Sequence, residues 1–173
     1  MEDPLGQPTR RRIYEVVSDH PGASAREVQR HARLGWGETA YHLDQLTRAG
    51  VLRRERGGRR DYYFRLEVTW DDRRLLLGLR SLTERRILLE LVERPGPTLG
   101  ELSDRIGVGL STSSFHVRHL LDLGLVHSVR DGNFRRFHAN HPERTAELLC
   151  KYRESFQDRL VDAFVETWSS LLR

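Results

Sequence analysis

The stretch AYHLDQLTRAGVLRRERGGRRDYYF, Ala40–Phe64, changes its periodicity at a glycine. Before Gly50, apolar residues recur at intervals of three and four, which is the spacing of an amphipathic helix. After Gly50, the segments VLRRER and DYYF read as strands, and Gly57 and Gly58 between them favour a tight turn. Because glycine readily adopts the left-handed conformation that ends many helices, the stretch predicts a helix, a stop and an arginine-rich hairpin.

The same pattern returns later in the chain as SFHVRHLLDLGLVHSVRDGNFRRFH, Ser114–His138, at an offset of 74 residues. At this offset the two copies align without a gap, from Thr9 on Thr83 to Gly58 on Gly132. A period of this length is too long for a solenoid repeat and fits a small domain that is present twice.

Two further helices are predicted before the third helix of each copy. Thr9 and Thr83 are expected to cap the first helices. Ser24 and Thr98, each followed three residues later by a glutamate, predict capping boxes on the second helices. Helix, helix, tight turn, helix and hairpin is the order of a winged helix-turn-helix domain. On the third helices the spacing predicts a buried stripe formed by Thr39, Leu43 and Leu46 in one copy and by Ser113, Val117 and Leu120 in the other.

The segments HLDQLTRAGVL and HVRHLLDLGLV, with their flanking helices and hairpins, resemble the ArsR-like and MarR-like winged-helix transcription regulators. They are especially similar to the tandem winged-helix regulators common in archaea. The resemblance covers Thr9–Phe64 and Thr83–His138, and it implies that the start of each third helix enters the major groove of DNA. The matching positions are Gly37, Glu38, Ala40, Tyr41, Ser111, Thr112, Ser114 and Phe115, with Arg118 and His119 one turn further on.

The two third helices differ in charge. Ser111, Thr112 and Ser114 are small donors and acceptors that suit base edges or phosphates, whereas Glu38 and Asp44 place negative charge where the first copy would meet DNA. We therefore expect the second copy to be the better reader of sequence.

The hairpins, or wings, are expected to place guanidinium groups along phosphates or in the minor groove. The wing residues predicted to contact DNA are Arg54, Arg56, Arg59, Arg60, Arg130, Asn133, Arg135 and Arg136.

Overall composition favours an acidic partner. The net charge is +4, and Lys151 is the only lysine among 29 basic residues. This arginine bias is explained either by phosphate binding or by the codon preference of the genome.

Cys150 is the only cysteine, which suits a reducing compartment, and the longest apolar runs are too short to span a bilayer. We expect a cytoplasmic, nucleoid-associated protein.

No metal site, cofactor or catalytic activity is predicted. His116 and His119 have helical spacing, but no Cys-x-Cys or Cys-x-x-Cys pair accompanies them, so structural or phosphate-facing histidines are expected. No phosphate-binding glycine loop and no nucleophile elbow occurs, so the chain is not expected to be an enzyme.

Two segments lie outside the repeat. Residues 67–82 are predicted to form a packed connector with a helix from Asp71 to about Leu79, whose apolar side comprises Trp70, Leu75, Leu76 and Leu79.

Residues 141–173 are predicted to form one long amphipathic helix of roughly 45 Å, with Asn140 as its cap and Pro142 near its start. Its apolar stripe comprises Leu149, Tyr152, Phe156, Leu160, Phe164, Trp168 and Leu171. This helix is expected either to pack across both copies or to pair with a second chain, and the candidates for a dimer interface are Tyr152, Phe156, Leu160, Phe164 and Trp168.

These patterns predict a mainly α fold of the α+β class, with winged helix-turn-helix domains at 1–66 and 83–140. The function expected is that of a sequence-specific regulator of transcription that binds double-stranded DNA through its third helices and wings. Two alternatives remain open: an architectural, chromatin-like protein that coats DNA, and a winged-helix scaffold that binds other proteins.

Overall fold

The computed structural model describes residues 3–57, 59–156 and 158–171, except the side chain of Leu171. Gly58 in the first predicted hairpin turn and the Leu171 side chain in the predicted stripe therefore lie outside the described residues. The chain divides into two compact units, Met1–Arg73 (unit 1) and Arg74–Arg173 (unit 2). The predicted α+β class is confirmed, because helices dominate and the two sheets are small and antiparallel.

Unit 1 has the predicted order of three helices and a hairpin. Its elements are α1 Pro8–Asp19, β1 Ala23–Ser24, α2 Ala25–Ala32, α3 Trp36–Arg48, β2 Leu52–Gly57 and β3 Arg60–Arg65. The short strand β1, which the sequence did not predict, pairs with β3 and extends the hairpin to three strands in the order β1-β3-β2. Ile13, Val17, Leu43 and Leu46 are buried together with Tyr63, so the three helices and the hairpin share one core.

Unit 2 repeats this order and adds helices after the hairpin. Its elements are α5 Leu82–Glu93, α6 Leu99–Ile106, α7 Leu110–Asp122, β4 Val126–Asp131, β5 Phe134–Ala139, α8 Pro142–Lys151, α9 Arg153–Phe156 and α10 Arg159–Leu171. Helix α8 packs against α5, and α10 packs against α8. Among the described residues, none of the helices combines the length and the apolar composition that a membrane crossing requires.

Most of the predicted helix boundaries are confirmed, but the caps predicted for α1 and α5 are wrong. Both capping boxes form, and Gly50 and Gly124 follow the third helices with positive φ. Thr9 does not cap α1, because Pro8 already occupies the first turn, where a missing N–H costs nothing. Thr83 does not cap α5, because the Ser81 side chain accepts the hydrogen bond from the Glu84 N–H.

The predicted connector helix is α4, Trp70–Arg80, and the division between the units falls within it. Leu75, Leu76 and Leu79 are buried as expected. Trp70, expected on the same apolar side, is 58% exposed, so its assignment to that side is wrong.

The single long helix predicted for the tail is also wrong, because the described residues of the tail form three separate helices. Helix α8 ends where Tyr152 leaves the helical conformation, with φ −114° and ψ 28°. Asp158 then accepts a hydrogen bond from the Leu160 N–H at the start of α10, and its second oxygen accepts one from Arg85 of α5. Asn140 does not cap the tail, since its side chain donates to the Gly124 carbonyl instead.

Candidate nucleic-acid interface

The third helices hold the predicted contact positions on their exposed sides. The predicted stripe Thr39, Leu43 and Leu46 of α3 is buried, as are Ser113, Val117 and Leu120 of α7. On the opposite side, all the predicted contact residues are exposed except Ser114, which is half-buried: Gly37, Glu38, Ala40, Tyr41, Ser111, Thr112, Ser114, Phe115, Arg118 and His119. Phe115 is 69% exposed, so a large apolar surface stands beside the hydroxyl groups of α7.

The exposed sides of α3 and α7 differ in charge and in pairing. In α3, Glu38 accepts a hydrogen bond from Thr9 at 3.4 Å, and Asp44 forms an ion pair with Arg48 at 2.8 Å. In α7 no acidic residue occurs before Asp122, and Arg118 forms no ion pair with any described residue. The exposed side of α7 therefore offers an unpaired cation and hydroxyl groups to an acidic partner.

A buried carboxylate fixes α7 against α5. Glu84, whose exposed fraction is only 4%, places one oxygen 3.0 Å from His116 Nδ1 and 2.8 Å from His119 Nδ1. These histidines were expected to be structural or phosphate-facing, and their Nδ1 atoms face the carboxylate. Within the described part of the chain, no group of three histidine, cysteine or acidic side chains is arranged to hold a metal ion.

The position of His116 has a different environment in unit 1. There the matching residue is His42, which is buried and whose Nδ1 has no hydrogen-bond partner among the described residues. The position of Glu84 is occupied by Arg10 in unit 1. Of the two third helices, α7 is therefore the one whose histidine, His116, is held by a buried carboxylate, whereas the matching His42 of α3 is not.

The wing of unit 1 contains two kinds of arginine. Arg54 and Arg56 lie 3.9 and 3.7 Å from the carboxylate of Asp61, on the face of the hairpin that carries the buried Tyr63. Arg59 and Arg60 lie at the turn, are exposed, and form no ion pair with a described residue. These two guanidinium groups are available to an external anion.

The wing of unit 2 divides in the same way. Arg130, Asn133 and Arg135 are exposed, and Arg130 donates to the Gly132 carbonyl of the turn at 3.4 Å. Arg136, predicted to contact DNA, instead donates to Asp131 at 2.6 Å and to the Gly96 carbonyl at 2.9 Å. The hydrogen bond with Asp131 raises the pKa of Arg136 further above its ordinary value. Its donors therefore hold the wing to the body of unit 2.

Three exposed residues near these surfaces were not singled out from the sequence. Arg26 of α2 lies over the ring of Trp36 at the start of α3, with its guanidinium carbon 4.3 Å from the ring centroid. Phe134, at the start of β5, is 61% exposed. The sequence could have pointed to Trp36 and Phe134, because each is an aromatic residue outside the predicted buried stripe. Nothing in the sequence distinguishes Arg26 from the other arginines.

The interface candidates of the tail fall into two groups. Phe156 and Phe164 are buried within unit 2, and Phe156 lies beneath the guanidinium groups of Arg80 and Arg85. These two aromatic residues are core residues of the single chain. Leu160 is exposed, whereas Tyr152 and Trp168 are half-buried.

Comparisons with known proteins agree with the tandem arrangement. A family model described as an N-terminal helix-turn-helix domain matches residues 7–76, and one described as a helix-turn-helix domain matches residues 83–129. The chain is 27% identical, over 125 residues, to an uncharacterized HTH-type transcriptional regulator of Methanocaldococcus jannaschii. That match covers 72% of this chain and 32% of the archaeal protein, so the chain spans about a third of the length of that relative.

Proposed function

The chain is a tandem helix-turn-helix protein, and we propose that it is a sequence-specific regulator of transcription that binds double-stranded DNA. The observation that carries this proposal is the exposed side of α7, which presents Ser111, Thr112 and Arg118, in a helix with no acidic residue before Asp122. Arginine and hydroxyl side chains are the groups that recognise base edges in the major groove.

Each unit has its own part in this proposal. Helix α7 of unit 2 reads the bases, because Glu84 holds it in place and its exposed side lacks competing carboxylates. Helix α3 of unit 1 contributes less, since Glu38 and Asp44 would repel phosphates. The wings of both units contact the backbone through Arg59, Arg60, Arg130 and Arg135. The name of the archaeal relative, a transcriptional regulator, supports the same function.

A competition assay with the full chain tests this proposal. A duplex selected from a random library carries a fluorescent label, and unlabelled random duplex is added as competitor. A specific regulator prefers its site by roughly a thousandfold or more at physiological salt. Equal competition by random DNA would contradict sequence-specific binding, and failure of any duplex to bind would contradict DNA binding altogether.

The acidic residues of α3 favour a second candidate function, in which DNA is bound without being read. Its exposed side carries Glu38 and Asp44, while the adjacent wing carries the unpaired Arg59 and Arg60, so unit 1 is suited to grip a backbone without reading bases. If both units bind in this way, the protein coats DNA as an architectural component. In that case random duplex competes as well as any selected site, and genome-wide mapping gives broad coverage with no discrete peaks.

We also propose that a second copy of the chain pairs through α10, where Leu160 is exposed. Sedimentation over a hundredfold range of concentration tests this pairing. The wild-type chain is expected to shift towards a dimer as the concentration rises, and Leu160→Glu is expected to remain a monomer. A wild-type chain that stays monomeric throughout would contradict the proposal.

A further inference from the structure

Unit 1 contains a pocket bounded by α2, α3 and the wing hairpin. Its volume is about 370 Å³, and its wall includes Arg26, Trp36, Asp44, Arg59, Asp61 and Tyr63. Small-molecule sites in proteins commonly measure roughly 300–1,000 Å³. The pocket therefore has room for a small ligand, and its wall indicates which kind.

Cationic side chains are in excess in this wall. It contains four arginines, namely Arg26, Arg54, Arg59 and Arg60, against two aspartates. Among the described residues, Arg26, Arg59 and Arg60 have no carboxylate partner, and only Arg54 approaches one, at 3.9 Å. A guanidinium group pairs with phosphate through two parallel hydrogen bonds. The excess of unpaired arginines indicates an anionic ligand, with phosphate as the best match.

The remaining wall residues suit a larger molecule than a simple anion. Trp36 presents an aromatic ring beside Arg26. Asp44 and Asp61 would repel inorganic phosphate but accept hydrogen bonds from hydroxyl or amino groups. Burial raises the pKa of Tyr63, so its hydroxyl stays protonated and able to donate at neutral pH.

We propose that this pocket binds a free nucleotide, with its phosphate on the arginines and its base against Trp36. A nucleotide combines the three features that the wall matches: a phosphate, sugar hydroxyl groups and a planar base with hydrogen-bonding edges. Stacking of a base on an aromatic side chain strengthens binding by roughly tenfold or more in proteins that bind single strands.

Comparison of the two repeated units shows whether the fold itself requires the pocket residues. At an offset of 74 residues, five of the pocket residues are replaced in unit 2 by side chains of different chemistry. The replacements are Arg26 by Gly100, Trp36 by Leu110, Asp44 by Arg118, Arg59 by Asn133 and Asp61 by Arg135. Unit 2 nevertheless forms the same three helices and hairpin. The fold therefore does not require the pocket residues, and a ligand gives a reason for their presence in unit 1 alone.

The pocket shares Arg59 and Arg60 with the proposed DNA surface, so nucleotide binding is measured without DNA. The variants that remove pocket contacts are placed at Arg26 and Trp36, which are not among the residues assigned to DNA. Calorimetric titration of the full chain with each of the four ribonucleoside monophosphates is compared with inorganic phosphate and with adenosine. At least one monophosphate is expected to bind with a Kd below about 1 mM, and at least roughly tenfold more tightly than either fragment.

Two variants locate the binding in the pocket. Trp36→Leu installs the residue that unit 2 carries at the matching position, so the fold tolerates it, and it is expected to weaken nucleotide binding roughly tenfold or more. Arg26→Ala is expected to do the same, because it removes a charge-assisted contact to phosphate. Arg30→Ala, an exposed arginine one turn further along α2 and outside the pocket wall, is the matched control and leaves the Kd unchanged.

Three results would overturn the proposal. The first is that none of the monophosphates binds below about 1 mM. The second is that inorganic phosphate binds as tightly as they do, which would reduce the site to a simple anion site. The third is that Trp36→Leu and Arg26→Ala weaken binding of duplex DNA while nucleotide binding is absent, which would assign the pocket to a DNA strand.

Discussion

The pairing state of the wing arginines predicts how DNA affinity responds to salt. Arg59 and Arg60 of unit 1 are exposed at the turn and form no ion pair with a described residue. Each phosphate that such a group neutralises releases a condensed counterion, so log K falls with log salt by about 0.9 per contact. The variant Arg59→Ala/Arg60→Ala is therefore expected to flatten the slope by about 1.8. The same relation, extrapolated from 1 M salt, predicts a loss of affinity of about sixtyfold at 0.1 M salt.

The assay is fluorescence anisotropy with one duplex at salt concentrations between 50 and 300 mM. The matched control is Arg144→Ala/Arg153→Ala, which removes the same charge from arginines of the tail that are ion-paired with Glu147 and Asp162. This control is expected to leave the slope within about 0.3 of the wild-type value, since a general change of net charge acts weakly at these ionic strengths. Equal slopes for the wing variant and the wild type, or equal flattening by the control, would refute the assignment of these arginines to phosphates.

Three further predictions concern stability and are checked by urea denaturation of the full chain. Asp158→Ala is expected to destabilise unit 2 by about 3–5 kcal/mol, because it leaves the buried guanidinium of Arg85 unpaired. The control Glu147→Ala breaks an exposed ion pair and is expected to cost less than about 1 kcal/mol. Equal losses of stability in the two variants would contradict this contrast. The capping-box hydrogen bonds with Thr98 lower the pKa of Glu101 in the folded protein. The ionised Glu101 carboxylate therefore stabilises the fold above its unfolded pKa near 4.5, and this stabilisation is lost as the pH falls through the lower folded pKa. Wild type and Glu101→Gln should therefore differ at pH 7 and converge well below pH 4.5, and a difference independent of pH would contradict that assignment. Gly57→Ala is expected to cost about 1–3 kcal/mol, because the new Cβ would lie 2.5 Å from the Tyr62 ring, and an unchanged denaturation midpoint would show that the ring moves freely.

The elements of the repeat were predictable because local signals determine them. The glycines at positions 50 and 124, the capping boxes and the change from helical to strand periodicity all act over a few residues. Agreement between the two copies then reinforced each signal. The third helices and hairpins consequently lie where the sequence predicted them.

The failures have a different physical origin, since they involve partners distant in sequence. In the tail, Asp158 and Phe156 contact Arg85, which lies 73 residues earlier than Asp158, and hydrophobic periodicity contains no information about such contacts. Likewise, the pattern of the wing does not show that Arg136 donates to the carbonyl of Gly96. Counting arginines therefore overestimates the number available to DNA.

The proposed nucleotide site was missed for the same reason. Arg26 lies on α2, ten residues before Trp36 and more than thirty before Arg59, and only the folded unit brings the three to one pocket. Comparison of the two copies position by position does contain a usable signal. Where the copies share a fold but differ in chemistry, the difference marks residues that the fold does not need.

Photo-crosslinking from α7 tests the central claim most directly, which is that this helix enters the major groove of duplex DNA. The photoreactive residue p-benzoylphenylalanine replaces Phe115, which is 69% exposed on α7, or Leu160 of α10 as the control. We expect the chain labelled at position 115 to crosslink to a bound duplex, with the crosslinks at bases, and the chain labelled at position 160 to form no crosslink to DNA. Crosslinks to DNA from position 160 alone, or from neither position while the duplex is bound, would show that α7 does not enter the groove.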